Sequence, residues 1–228
     1  MAPENSLSAF LGAYECGCRH LELDVRDTKD GNLVVFHDAT LRRMLNRSGF
    51  ISQFTSEHVA QFRYKNGESI VHLKDLVEAL PEDAFFNIDP KSDRAAGLLT
   101  RFVEARPELI PRTAIGTFST KRITGIREAF PMLATAASRN EVLSIFARYL
   151  RGKPFDTKAK ALQIPLNTYF QPHLRAEFAD YVHNHGLQVH VWTVNSAETM
   201  QWLYQRGFDA VMTDKPSIAA RYFSERNE

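Results

Sequence analysis

The feature that most narrows the fold is an alternation of two patterns along nearly the whole chain. Short apolar, β-prone runs at 21–26, 85–91, 113–118, 133–137, 161–165, 187–194 and 210–213 read as strands. Between them, helical spacing of apolar residues marks helices over about 73–80, 94–105, 121–129, 141–150, 173–185 and 197–206. Strands separated by helices build βα units and a parallel sheet. A further helix opens the chain: Pro3, Asn5 and Ser6 form its entry, with Asn5 or Ser6 as N-cap, and Gly17 its stop. The 228 residues contain no linker, repeat or low-complexity segment, so the expectation is one domain over 1–228.

One hairpin breaks the alternation. Asp30-Gly31 lies between two apolar runs, 21–26 and 33–37, too close together for a parallel crossover, so the outer run is antiparallel. If Asp30 and Gly31 form a two-residue loop, Lys29 pairs with Asn32 and Asp24 lies opposite His37. Side chains alternate along a strand, so Glu22, Asp24 and His37 then share one face. Acidic oxygens suit a hard divalent cation and an imidazole suits proton transfer, which is the outline of a metal-dependent hydrolytic site.

Composition removes several classes of function. The net charge is +1 with both signs interspersed, which speaks against a nucleic-acid groove or a polybasic membrane anchor. No apolar run approaches the roughly 20 residues that span a bilayer. Two cysteines, Cys16 and Cys18, are too few for a disulfide framework, and the first residues lack a signal-peptide pattern, so a cytoplasmic location is expected.

Ordered blocks along the chain resemble the glycerophosphodiester phosphodiesterase family. They are Pro3-Glu4-Asn5-Ser6, Ala9-Phe10, Gly17, Glu22-Leu23-Asp24-Val25, Thr28-Lys29-Asp30-Gly31, Val34-Val35-Phe36-His37-Asp38 and Thr40-Leu41-Arg42-Arg43. Later come Asn87-Ile88-Asp89-Pro90-Lys91, Val191-Trp192-Thr193-Val194-Asn195, Gly207-Phe208-Asp209-Ala210 and Thr213-Asp214. The resemblance implies an α/β fold, a TIM-type (β/α)₈ barrel with an antiparallel hairpin arm. It implies hydrolysis of small-molecule glycerophosphodiesters to glycerol 3-phosphate and an alcohol, with one divalent cation, Mg²⁺ or Ca²⁺. By the same resemblance Glu22, Asp24 and Asp89 are metal ligands, His37 and Lys91 are catalytic, and Lys91 and Trp192 bind substrate.

Two departures from the family pattern bear on this. Asp89 stands where Glu is commoner and reaches one methylene less, which implies a bridging water or a shifted metal preference. The family's His-Arg-Gly, on the first barrel strand, does not precede Pro3. The chain offers seven parallel strands for the eight of such a barrel. A truncated member is expected, ahead of a divergent one with impaired activity.

Other residues carry less. Cys16-Gly17-Cys18-Arg19-His20 lacks a second ligand cluster and reads as packing. His183-Asn184-His185 reads as a complement to a helix dipole, 143–155 as an amphipathic helix, and Asp214 as a cap for the turn before Pro216. Rival readings are a non-catalytic phosphodiester-binding barrel, a sphingomyelinase-D-like lyase and a generic sugar-phosphate barrel enzyme. The last leaves the acidic hairpin unexplained.

Overall fold

A computed structural model describes residues 2–167 and 169–224. The chain divides into two compact units, Met1–Ile115 with Thr124–Leu133, and Gly116–Ile123 with Ala134–Glu228. The first holds α1 (Leu7–Glu15), β1 (His20–Asp27), β2 (Leu33–Val35), α2 (Arg42–Leu45), α3 (Ser56–Val59), α4 (Leu73–Ala79), β3 (Phe85–Pro90), α5 (Asp93–Glu104) and β4 (Thr113–Ile115). Helix α6 (Thr120–Ala129) spans the division.

Within the first unit the strands are ordered β2-β1-β3-β4. Strands β1 and β3 run parallel and in register, with Leu21, Leu23 and Val25 beside Phe86, Ile88 and Pro90. These six face one way and are buried, each large apolar side chain contributing roughly 1.5–3 kcal/mol of transfer free energy. The intervening residues face the other way, which puts Glu22 beside Asn87 and Asp24 beside Asp89. A second core of Val34, Phe36, Leu41, Ile51, Val59, Phe62, Tyr64 and Ile70 lies under the hairpin and anchors 39–70.

The hairpin register differs by one residue from the two-residue-loop reading. Val25 pairs with Val35, Arg26 with Val34 and Asp27 with Leu33. Thr28 N–H then donates to the Asn32 carbonyl at 2.9 Å, so the loop has three residues and only its last, Gly31 with φ 83°, is left-handed. The cause is a side-chain network around the turn. Thr28 Oγ1 donates to Asp30 Oδ1 at 2.6 Å and accepts from Asn32 N–H at 3.0 Å, while Ser56 N–H and Oγ hold Asp30 at 2.9 and 2.7 Å. These bonds keep the Asp30 carboxyl well below its ordinary pKa, the Thr28 hydroxyl first among them. Phe36, not His37, is therefore opposite Asp24, its N–H donating to the Asp24 carbonyl at 2.9 Å.

The second unit holds β5 (Ala134–Thr135), α7 (Arg139–Tyr149), β6 (Ala161–Pro165), α8 (Ala176–His183), β7 (Gln188–Trp192), α9 (Ala197–Tyr204), β8 (Ala210–Val211) and α10 (Pro216–Ser224). Strands β6, β7 and β8 are parallel neighbours, and Ala136, just after β5, bridges Ala161 in the same sense. Leu162, Ile164, Val189 and Val191 are fully buried against Phe178, Val182, Met200 and Leu203 of the helices. Ser138 and Glu141 cap α7 reciprocally, each side chain accepting the other's backbone N–H.

All seven strand readings other than the hairpin's outer run correspond to strands here. Helix α10 was not foreseen. Asp214 does not cap the turn before Pro216. It accepts from Asn195 Nδ2 at 3.0 Å, and Thr213 Oγ1 takes the Lys215 N–H at 3.0 Å. Among the described residues no helix is long and apolar enough to cross a membrane.

Candidate active site

The first unit brings Asp24, Asp89 and Lys91 together at the C-terminal ends of β1 and β3. Because the two strands are in register, the carboxylates emerge side by side, and Lys91 follows Asp89 by one alternation. Lys91 Nζ lies 2.6 Å from Asp24 Oδ1 and 2.7 Å from Asp89 Oδ2. All three side chains are largely buried. Burial alone would lower the Lys91 pKa, but the charges of Asp89 and Asp24 outweigh it and raise the ammonium above its ordinary value.

Asp89 Oδ1 is buried with no hydrogen-bond partner. A buried carboxylate oxygen left unpaired is costly, and a hard cation is the partner its chemistry suits. Glu22 lies two residues before Asp24 on the same face of β1 and is exposed. Among the described residues no three His, Cys, Asp or Glu side chains converge as a ready-made metal cage. The cationic position between Asp24 and Asp89 is filled by the lysine.

Asp24 has a second partner that the sequence reading assigned elsewhere. Asn5 Nδ2 donates to Asp24 Oδ2 at 2.8 Å, and Asp24 N–H donates to Asn5 Oδ1 at 3.1 Å. Ser6 caps α1 by accepting from Ala9 N–H, which frees the Asn5 amide for this clamp. Asn5 sits at φ 57°, a left-handed conformation that asparagine tolerates better than most residues. The signal in the sequence was the redundancy of two capping residues before one helix.

His37 is not on the Asp24 face of a ladder. It stands in a bend after β2, half exposed, with Nδ1 2.8 Å from Asp38 Oδ1. Its carbonyl accepts from Arg26 Nε at 2.8 Å. Trp192 belongs to the second unit. It ends β7 partly buried, its ring centroid 5.6 Å from that of Phe118.

The remaining candidates are structural. His183 Nε2 bonds Asp209 Oδ2 at 2.9 Å, so a carboxylate and not the helix dipole alone orients it. His185 stacks on Phe155 with centroids 4.1 Å apart, and its Nδ1 bonds the Tyr181 carbonyl at 2.8 Å. Cys16 and Cys18 are not joined in a disulfide, and burial raises the pKa of Cys18. His20 stacks on Phe85 with centroids 4.8 Å apart.

Comparison with known proteins matches this chain to one family. The Glycerophosphoryl diester phosphodiesterase family matches residues 1–218. The chain is 30% identical to the probable glycerophosphodiester phosphodiesterase 2 of Mycobacterium tuberculosis, over 99% of this chain and 87% of that protein. It is 28% identical to a glycerophosphodiester phosphodiesterase of Caldanaerobacter subterraneus, over 94% of this chain and 89% of that protein. Among solved structures it resembles a glycerophosphodiester phosphodiesterase of Thermotoga maritima, with a TM-score of 0.77 and 25% identity, covering 96% of this chain and 92% of that one. An Oleispira antarctica phosphodiesterase solved with sn-glycerol-3-phosphate has the same fold, at a TM-score of 0.78 and 19% identity, covering 100% and 92%. That fold is the TIM-type α/β barrel, and this chain, whose in-register β1 and β3 bring Asp24, Asp89 and Lys91 together, belongs to the glycerophosphoryl diester phosphodiesterase family.

Proposed function

We propose that this chain hydrolyses glycerophosphodiesters to glycerol 3-phosphate and an alcohol, with one divalent cation, Mg²⁺ or Ca²⁺, held by Glu22, Asp24 and Asp89. The observation that carries the reading is the in-register carboxylate pair around Lys91, with Asp89 Oδ1 left as a buried acceptor without a partner. When bound, such a cation neutralises phosphate charge and lowers the pKa of a coordinated hydroxyl.

The chain's own groups divide the remaining work. Lys91 keeps its charge because two carboxylates raise its pKa, and it brings that charge to the non-bridging phosphate oxygens as negative charge grows on them. For a cation to take up Asp24 and Asp89, the ammonium must give way toward an anionic substrate. His37 moves one proton, either from the attacking hydroxyl or to the departing alcohol. Asn5 holds Asp24 in place with two hydrogen bonds throughout.

The test is release of glycerol 3-phosphate from glycerophosphocholine and glycerophosphoethanolamine by the 228-residue chain, with Mg²⁺, Ca²⁺ or EDTA. Turnover is expected with metal and not with EDTA, and His37→Ala is expected to lower kcat about 10²–10⁴-fold. A folded chain that binds the cation by calorimetry and releases no product sinks the hydrolytic reading. It would leave a phosphodiester-binding barrel of the same family.

A further inference from the structure

Four side chains of the first unit form one hydrogen-bonded line that ends on His37. His37 Nδ1 is 2.8 Å from Asp38 Oδ1. Arg43 grips the same carboxylate twice, Nε to Oδ2 at 2.7 Å and Nη2 to Oδ1 at 2.9 Å. With its other edge Arg43 donates to both oxygens of Glu4, Nη1 to Oε2 at 2.8 Å and Nη2 to Oε1. The guanidinium thus bridges two carboxylates, one 5 residues from it in the sequence and the other 39.

The chemistry of the bond decides which His37 nitrogen carries the proton. The Arg43 hydrogen bonds, more than any other influence, hold the Asp38 carboxyl down to about 2, so it is an anion at neutral pH. An ionised carboxylate only accepts hydrogen bonds. Nδ1 must therefore supply the hydrogen, and the neutral ring keeps its lone pair on Nε2. Without such a partner, a neutral imidazole can carry its proton on either nitrogen.

An isolated surface ion pair adds little to stability and would merit no further remark. This line differs in two respects. A two-edged guanidinium fixes direction as well as charge, because its donors lie in one rigid plane. The line also starts in the turn that holds the carboxylate site: Glu4 binds Arg43 while the next residue, Asn5, clamps Asp24. One short turn before α1 is tied both to a carboxylate of the candidate metal site and to the residue that orients the histidine.

We propose that Asp38, Arg43 and Glu4 are positioning residues that hold His37 as its Nδ1–H tautomer and present Nε2 as the proton-handling atom. The proposal rests on the reading of this protein as a phosphodiesterase in which His37 moves a proton. Asp38 sets the tautomer, Arg43 sets the angle of Asp38, and Glu4 holds Arg43 in place.

Long-range ¹H–¹⁵N spectra of the ¹⁵N-labelled full chain test it, with the His37 signals assigned by their loss in His37→Gln. The wild type is expected to show neutral His37 as the Nδ1–H form, and Asp38→Ala a mixture of tautomers. In the same variant kcat should fall about 10–100-fold with KM unchanged, the usual cost of losing the partner that orients an imidazole. Asp38→Asn, of equal size, covers the case in which the alanine variant fails to fold. Arg43→Lys should retain more kcat than Arg43→Met.

An unchanged tautomer with unchanged kcat in the Asp38 variants overturns the proposal, as does a fall confined to KM. A wild type that turns over nothing, yet loses its tautomer preference in Asp38→Ala, sinks the hydrolytic reading and leaves the positioning line standing.

Discussion

Asp24 and Asp89 reach their places through a parallel ladder of six residue pairs, whereas His37 stands one residue past the last bond of a three-pair hairpin. In the ladder, backbone hydrogen bonds and a buried face set both side chains, and any strand of the right pattern and register would deliver them. In the bend the backbone leaves the His37 ring free to turn, and three other side chains hold it. The carboxylate pair is a property of the fold. The histidine is a property of a side-chain network laid over it. Damage to the core should therefore act on the first through stability, and damage to surface charges on the second through rate.

The largest expected effect that would break this contrast is in the ladder's core. Leu23 is fully buried and lies beside Ile88 on the face opposite the carboxylates. Leu23→Ala should cost about 2–5 kcal/mol in urea unfolding, from lost transfer free energy and the cavity left behind. The protein that remains folded should keep its carboxylate pair and its kcat. A stability loss under about 1 kcal/mol would mean that the ladder is not what holds Asp24 and Asp89 in register.

The next effect belongs to the clamp between the two regions. Asn5→Ala removes two hydrogen bonds from the buried Asp24 and leaves its groups short of partners, a cost of about 1–3 kcal/mol. Alanine also bears the strain of φ 57°, about 1–2 kcal/mol. Asn5→Gly loses the same bonds without that strain, so the difference between the two variants in urea unfolding isolates it. Equal losses in both would show that backbone conformation plays no part at this position.

The same contrast explains what could be read from the sequence. The seven strands were legible because burial of Leu, Val and Ile on strand faces leaves a pattern in the chain itself. Alternation along each strand could put Glu22 with Asp24 and Asp89 with Lys91, but that Asp24 stands beside Asp89 follows from the register of β1 and β3, which no local pattern states. The hairpin register was not legible from Asp30-Gly31 alone. The loop is set by Ser56, 26 residues away from the Asp30 it binds, and no local turn rule contains that contact. One shifted residue was enough to take His37 off the Asp24 face. Asn5 was visible as a capping residue, but its αL conformation and its reach to Asp24, 19 residues on, were not. Glu4, Asp38 and Arg43 are ordinary surface charges until the fold brings them together.

The smallest effect sharpens the comparison by pH. Asp38 has a folded pKa of about 2, below the ordinary 3.8, so the folded state favours its anion. Its contribution to stability is complete above about pH 4 and is lost as pH falls through about 2. Arg43 is half exposed, so solvent screens the pair and the contribution is at most about 1 kcal/mol. Asp38→Asn lacks this titration. The gap in urea-unfolding free energy between wild type and Asp38→Asn should be flat from neutral pH down to about 4 and then narrow toward pH 2. A gap that is constant across the window would mean that Asp38 holds its neighbours by shape and not by charge. The ladder carboxylates would then be the site's charge-dependent part, and the histidine's network merely steric, which reverses the division drawn between the two regions.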